Sequence, residues 1–324
     1  MKVLKFGGSS LADAQRYLRV TEISTTIHQA NGAAVVLSAP KGVTNALGAL
    51  CEQAAGGEDY EVLFGELNDK VLGIAAELSE QVAGFDVATI NDFITTHLAS
   101  LKKQLQGIAL LGRSPDAVTA SIMSLGEYIS VNLFSGILTA KGISNQVLDP
   151  VEYVLAEGDY LDSIADVSLS KANFSEVVTD GSQLIIMPGF VAANEEGEKV
   201  TLGRNGSDYS AAVLAACIDA ECCEIWTDVD GVYNADPNQV EGAVLLDKLT
   251  YQEAMELSYF GAKVLHPKTI GPIAQHHIPC LIKNTLNPSA PGTLISNEAS
   301  TTWTSVKGFL SLIISPCLMW PARV

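Results

Sequence analysis

Residues 2–10 read KVLKFGGSS, a short apolar run carrying one lysine that stops at two glycines and two hydroxyls. An apolar run of this length closed by glycines predicts a buried strand. A strand that empties into a glycine loop leaves backbone N–H groups bare, which is how proteins cradle phosphate. The same residues equally suit a plain strand-to-helix turn with Ser9 or Ser10 as helix N-cap, so this stretch alone leaves both uses open. Outward from it, LADAQRYLRVTEISTTIHQA places Leu11, Tyr17, Leu18, Ile23 and Ile27 at helical spacing, and AAVVLSAP is a second apolar run ending in a loop. Strand, glycine loop, helix, strand is a βαβ unit, which implies parallel pairing and a right-handed crossover. Its functional edge is the carboxyl ends of the strands, where GGSS and SAPKGVTN both fall.

Residues 46 to 140 are mostly helical in pattern, with acidic polar faces and a break at AAGGED. Strand-like runs return from NQVLD onward, at QLIIMPGF, EIWTDVDGVY and IPCLIK, interleaved with the helical SDYSAAVLAACIDA and TYQEAMELSYFGAKVL. This alternation predicts an α/β protein, a three-layer α/β/α sandwich with a mainly parallel central sheet and two lobes that share a cleft. The length of 324 residues suffices for that architecture.

Composition limits the function. Lysine and arginine total 19 against 37 aspartates and glutamates, a net charge of −18, which argues against a nucleic-acid or anionic-membrane surface. A polyanionic ligand must then be met by local cations, backbone N–H groups or a metal ion. The six cysteines, Cys51, Cys217, Cys222, Cys223, Cys280 and Cys317, form no C-x-x-C pair and read as reduced thiols of a cytoplasmic protein. The N-terminus turns glycine-rich too soon for a signal peptide, and no internal run is read as approaching a membrane span.

Four clusters carry candidate chemistry. Walker-A and G-x-G-x-x-G spacings are both missing. In KFGGSS, Lys5 sits at the strand end while Gly7 and Gly8 admit a ligand to the backbone. In LGRNGSDYSAAVLAA, Gly203, Arg204 and Gly206 precede a helix whose first turn carries Ser207 and Asp208. A helix start behind a glycine loop suits an anion, although Ser207 and Asp208 could simply cap it and complement its dipole. Arg204 favours the anion, because a guanidinium grips a carboxylate bidentately. In IWTDVDGVYNADP, Thr227, Asp228, Asp230 and Tyr233 follow a strand; the glycine offset is wrong for a calcium loop, leaving a nucleotide-facing loop or an Asp-Gly turn. In YFGAKVLHP, Lys263 ends a helical run, where most lysines only complement the dipole, and Glu127 in SLGE is likewise a residue type common on helix surfaces. His266, His276 and His277 show no ligand spacing.

In combination and order, KFGGSS, LSAPKGVTN, SLGE, PGF, LGRNGSDYSAA, WTDVDGVY and FGAKVLHP resemble the aspartokinase branch of the amino acid kinase family, over about residues 1 to 296. KFGGSSLADAQRYLRV and CCEIWTDVDGVY are most similar to the N-terminal kinase segments of bifunctional aspartokinase/homoserine dehydrogenases. The resemblance implies a carbamate kinase-like fold and transfer of phosphate from ATP, with Mg²⁺, to the side-chain carboxylate of L-aspartate, the first step toward threonine, methionine and lysine. It implies that Lys5 and Lys263 flank the transferring group, with Asp208 orienting the lysines. Gly7, Gly8 and Ser9 would supply the phosphate loop. Arg204 and Glu127 would hold the α-carboxylate and α-ammonium of aspartate, with Ser38, Thr44, Phe190 and Ser207 lining that pocket. Thr227, Asp228, Tyr233 and Lys263 would contact the nucleotide, with Mg²⁺ held mainly through its phosphates rather than by protein ligands. Asn238 stands where family members often carry arginine. L-aspartate and MgATP are the implied partners, with a homodimer as the candidate assembly. Relatives acting on glutamate, carbamate or a nucleotide, and a catalytically impaired binding module, are the alternatives.

The expected division is a kinase domain over residues 1–296, with about 1–200 as the aspartate-binding lobe and about 201–296 as the nucleotide-binding lobe. Residues 297–324 form a linker and a tail, VKGFLSLIISPCLMWPARV, that departs from the resemblance. That tail is read as the product of a frameshift after about Gly308, which leaves the regulatory and dehydrogenase domains of the bifunctional relatives absent.

Overall fold

The protein is described here by a computed structural model, over residues 1–177, 179–235, 240–259 and 265–298. Lys263, Asn238 and the tail from residue 299 onward lie outside the described residues.

The opening βαβ unit forms as its pattern predicts: β1 (Lys2–Phe6), α1 (Ala14–Asn31) and β2 (Ala33–Leu37), with Lys5 opposite Val36 in a parallel ladder. The cap differs from the expectation. Neither Ser9 nor Ser10 caps α1; Asp13 does, accepting from the Arg16 N–H at 2.9 Å, because a 3-10 turn over Gly8–Leu11 delays the helix.

A helical block follows, α2 (Val43–Gly56), α3 (Glu61–Gln81), α4 (Val87–Leu111), α5 (Asp116–Met123) and α6 (Leu125–Ala140). The break at AAGGED is Gly57, left-handed at φ 71°, ending α2. The run Asp116–Ala140 does have the length and hydropathy of a membrane span, contrary to the sequence reading, and 67% of its most apolar window is buried inside the protein. Its hydropathy is that of a core helix pair.

The chain then returns to the sheet through β3 (Asn145–Val147), α7 (Pro150–Tyr153), β4 (Ala156–Glu157), β5 (Ile164–Ala165), α8 (Val167–Asn173) and β6 (Leu184–Pro188). A hairpin of β7 (Val191–Ala193) and β8 (Lys199–Thr201) leads to α9 (Gly206–Cys217) and β9 (Cys222–Thr227). The last described elements are β10 (Lys248–Thr250), α10 (Tyr251–Tyr259), α11 (Pro267–Gln275), β11 (Cys280–Asn284) and β12 (Thr293–Ser296).

Eight strands form one sheet in the order β10-β12-β11-β9-β1-β2-β6-β3. Among the described residues its pairings are parallel except β11 with β12. Period-2 alternation divides the core cleanly. Leu4, Phe6, Val35, Leu37 and Ile186 face α1 to α6, whereas Val3, Ala34, Val36, Ile185 and Ile225 face α9 and α11. The α/β/α sandwich is therefore as expected. Strand β1 is central, with β2 on one side and β9 on the other, so the chain's two halves meet at its carboxyl end. In open α/β sheets that switch point is where a ligand cleft opens.

Candidate active site

The carboxyl ends of the central strands are tied edge to edge. The Gly7 N–H donates to Trp226 O at 3.3 Å, the Ser38 N–H to Phe6 O at 3.1 Å, and the Gly189 N–H to Leu37 O at 2.9 Å. Above this edge lies a cavity of about 660 Å³. Lys5, Gly8, Ser38, Thr44, Glu127, Phe190, Arg204, Ser207, Asp208 and Thr227 all line it. Residues more than two hundred positions apart are thus brought together. Gly7, Ser9 and Asp228 adjoin lining residues without lining it, Tyr233 is not in the lining, and Lys263 lies outside the described residues.

The buried face of β1 aims Lys5 at α9. Its Nζ lies 2.5 Å from Asp208 Oδ1, and the two residues are each 8% exposed. Asp208 Oδ1 has no aligned hydrogen bond, so the contact is an ion pair whose ammonium retains donors for something else. Asp208 is fixed because α9 is buried along its whole length. Its alanines, 211, 212, 215 and 216, let the helix approach the sheet closely. The Gly8 loop meets the loop after β2 with no spare room: a Cβ on Gly8 would lie 2.9 Å from Ala39 O. A glycine cradle beside an ammonium fits the phosphates of a nucleotide.

Glu127 stands in the first turn of α6, 3% exposed. Its approach depends on Gly126, where a Cβ would lie 2.5 Å from Ala39 Cβ and 2.9 Å from Val43 Cγ1. Burial pushes the Glu127 carboxyl up to about 8, against the opposing effects of N–H donation from Ala39, its own N–H and the Lys5 charge. Desolvation wins. Glu127 Oε2 has no hydrogen-bond partner among the described residues, a buried orphan that a ligand cation would satisfy.

Phe190 adopts a left-handed backbone, φ 69°, which costs a bulky residue of order ~1 kcal/mol. Two bonds hold it there: its N–H donates to Ser210 Oγ at 2.8 Å, and its carbonyl accepts from the Leu202 N–H at 2.8 Å. The Arg204 guanidinium is exposed at the cavity and has no carboxylate partner among the described residues. Ser207 does not cap α9; Asn205 occupies that position with φ 57° and makes no side-chain cap bond.

Sequence reasoning missed Lys41, Asn45, Met123, Leu161 and Thr201, all in the cavity wall. Lys41 stood in the quoted SAPKGVTN, and its charge was the available signal. The cavity carries Lys5, Lys41 and Arg204 against Glu127 and Asp208, a cationic excess inside a chain of net charge −18. Among the described residues no group of three or more histidines, cysteines, aspartates or glutamates could hold a metal ion. The candidate calcium-like turn is closed internally: Asp230 Oδ1 accepts from Asn284 Nδ2 at 2.7 Å and Asn287 Nδ2 at 3.3 Å.

A mostly parallel α/β sandwich with an anion-ready cleft at its switch point describes a class of phosphate-handling folds. Within it, the profile of the Amino acid kinase family matches residues 1–284, and the chain belongs to that family. It is 47% identical over 96% of its length to a bifunctional aspartokinase/homoserine dehydrogenase of Buchnera aphidicola, spanning 38% of that protein. Against the lysine-sensitive aspartokinase 3 of Escherichia coli it is 36% identical over 91% of its length, spanning 64% of that relative. The solved structure of E. coli aspartokinase III in complex with aspartate and ADP superposes with a TM-score of 0.83 at 32% identity, covering 93% of this chain and 65% of that one.

Proposed function

We propose that this chain transfers the γ-phosphoryl group of ATP to the side-chain carboxylate of L-aspartate, giving 4-phospho-L-aspartate and ADP. The observation that carries the reading is the pairing, in one cavity, of a buried carboxyl at Glu127 and an exposed guanidinium at Arg204, the first with an unsatisfied oxygen and the second without a carboxylate partner among the described residues, beside the Lys5–Asp208 pair. The first two suit the charged backbone groups of an amino acid, and the third suits a phosphoryl group. The solved relative holding aspartate and ADP supports the choice of substrates.

In this reading Arg204 grips the α-carboxylate, Glu127 in its ionised form accepts from the α-ammonium, and Ser38, Thr44, Phe190 and Ser207 shape the space between. The side-chain carboxylate, with an ordinary pKa near ~3.9, is already an anion at neutral pH and needs no general base. One of its oxygens attacks phosphorus in line, the bond from phosphorus to the β-phosphate oxygen breaks, and ADP leaves without a proton transfer. Two anions must meet, so positioning and positive charge carry the catalysis. Lys5, held by Asp208, neutralises the transferring group, and Gly8 and Ser9 present backbone donors, the Gly7 N–H being taken by Trp226 O. Thr227, Asp228 and Tyr233 border the nucleotide, and Lys263 completes the set from outside the described residues. Mg²⁺, bound through the ATP phosphates, would supply further charge neutralisation. The cytoplasm is the compartment this reading implies.

The test is aspartate-dependent hydroxamate formation from ATP, Mg²⁺ and hydroxylamine, with glutamate as control. Product with aspartate and none with glutamate is expected; product with glutamate alone, or none from folded protein that binds ATP, would reject the reading.

A further inference from the structure

A second lysine secures the cavity wall from behind. Lys268, in the first turn of α11, directs its ammonium to three acceptors: Asp162 Oδ1 at 2.5 Å, Ser163 O at 3.2 Å and Leu202 O at 3.2 Å. An ammonium has three donors, and all three are used. Its backbone is fixed too, since His266 Nδ1 accepts from the Lys268 N–H at 3.2 Å at the start of the helix.

The acceptors belong to two strips that reach the cavity. Leu161 precedes Asp162, Arg204 follows Leu202 by two residues, and both Leu161 and Arg204 are in the lining. The strips are stitched to each other: the Ser163 N–H donates to Thr201 O at 2.9 Å and Thr201 Oγ1 to Leu161 O at 3.0 Å. Asp162 lies so close to Gly203 that a Cβ there would sit 2.0 Å from Asp162 Oδ1. The exposed Asp162 carboxylate therefore lies against the backbone of Gly203, the residue before Arg204, whose guanidinium has no carboxylate partner among the described residues. Released from Lys268, a carboxylate beside that loop would be a competing bidentate partner for the guanidinium.

We propose that Lys268 is a positioning residue for amino-acid recognition: it occupies Asp162 and so keeps Arg204 free for the α-carboxylate of the substrate, while tying the Arg204 loop to α11. This deepens the proposed aspartate kinase reading and rests on it. Lys268 touches neither substrate nor nucleotide. It acts by deciding which carboxylate Arg204 meets.

The test uses the full chain with Lys268→Met, Lys268→Arg, Asp162→Asn and the double variant of Lys268→Met with Asp162→Asn. Lys268→Met should raise KM for aspartate about tenfold, with KM for ATP unchanged and kcat nearly so. Lys268→Arg should restore most of the loss. The double variant should recover much of it as well, because the competing carboxylate is gone; a merely structural lysine would give no such recovery. An unchanged KM for aspartate, a rise shared equally by ATP, or failure of the double variant to recover overturns the proposal. Hydrogen–deuterium exchange over residues 201–206 runs alongside and needs no substrate. Faster exchange in Lys268→Met is expected, and its absence overturns the tether whatever the substrate. Inactivity of the unsubstituted chain toward aspartate would instead reject the functional reading alone.

Discussion

The two ends of the cavity are built by opposite rules. At the Glu127 end the polar groups are buried and unsatisfied and the backbone is strained: Glu127 Oε2 has no partner, Phe190 is left-handed, and α6 reaches its place only because residue 126 lacks a side chain. At the Thr227 end the polar groups are mostly half-buried and satisfy one another. Thr227 Oγ1 donates to Asp228 Oδ1 at 3.2 Å, Asp230 takes two asparagines, and Asn234 Oδ1 accepts from the Val244 N–H at 2.8 Å. A buried polar group without a partner costs free energy until one arrives, so the first end specifies what must bind. A self-satisfied set of polar groups costs little and specifies little. Selectivity should therefore concentrate at the first end, and substitutions at the two ends should separate in kinetics.

The largest effect belongs to the junction. Lys5→Ala removes the ammonium that faces both ends and leaves Asp208 as an uncompensated buried carboxylate. The turnover number should fall about 10³-fold, roughly 4 kcal/mol of transition-state stabilisation. A loss below tenfold, measured by steady-state kinetics on folded protein, would remove Lys5 from the phosphoryl site.

Glu127→Gln probes the buried end and should raise KM for aspartate about a hundredfold, the worth of a bond to a charged group, with KM for ATP unchanged. The pH dependence has a fixed sign. The folded carboxyl is raised from 4.5 to about 8, so its contribution to stability is fully present below 4.5 and is lost as pH rises through about 8. Between those values the ligand-free protein should weaken with pH while the Gln variant loses less, a difference that denaturant midpoints at pH 6 and pH 9 would read. Aspartate affinity should move the other way, rising toward about pH 8, because the α-ammonium requires the carboxylate. Midpoints that fall equally in both proteins would mean that Glu127 is already ionised without ligand.

Gly126→Ala tests the same end through packing alone. The added methyl meets Ala39 and Val43, so it must push the Ser38–Thr44 loop outward. We expect about 1–3 kcal/mol of destabilisation and a several-fold rise in KM for aspartate. A KM increase for ATP of equal size would show that the loop serves both ends.

Gly126 also marks the limit of what the sequence could disclose. The βαβ start, the central strands and the clustering of Lys5, Glu127, Arg204 and Asp208 were legible, because period-2 runs and glycine loops are local signals and the order of motifs resembles a known family. The close approach of Gly126 to Ala39 was not, since nothing local distinguishes a glycine that admits a neighbour from one that merely bends. Lys268 carries no local signal, because its three acceptors come from segments more than sixty residues upstream. The hairpin β7–β8 was missed because three-residue strands carry too little periodicity. Asp13 was overlooked as a cap because the 3-10 turn after Gly7 displaces the helix start.

Tyr233→Ala should have the smallest effect. Tyr233 is half-buried, pairs with Leu245 through an isolated antiparallel bridge, and stands outside the cavity lining. The bridge is made by the backbone and survives truncation of the ring, so what is lost is the ring's own contact surface, which the proposed reading sets beside the nucleotide. A single half-buried contact of this kind is worth about 1 kcal/mol, which is a KM for ATP raised about fivefold with KM for aspartate unmoved. If instead KM for aspartate rises with it, the rim is ordering the buried end, and the two ends are one site rather than two. Measured beside Glu127→Gln, the pair gives the sharper result: opposite kinetic signatures would establish that the fold separates recognition of the amino acid from support of the nucleotide across the width of β1.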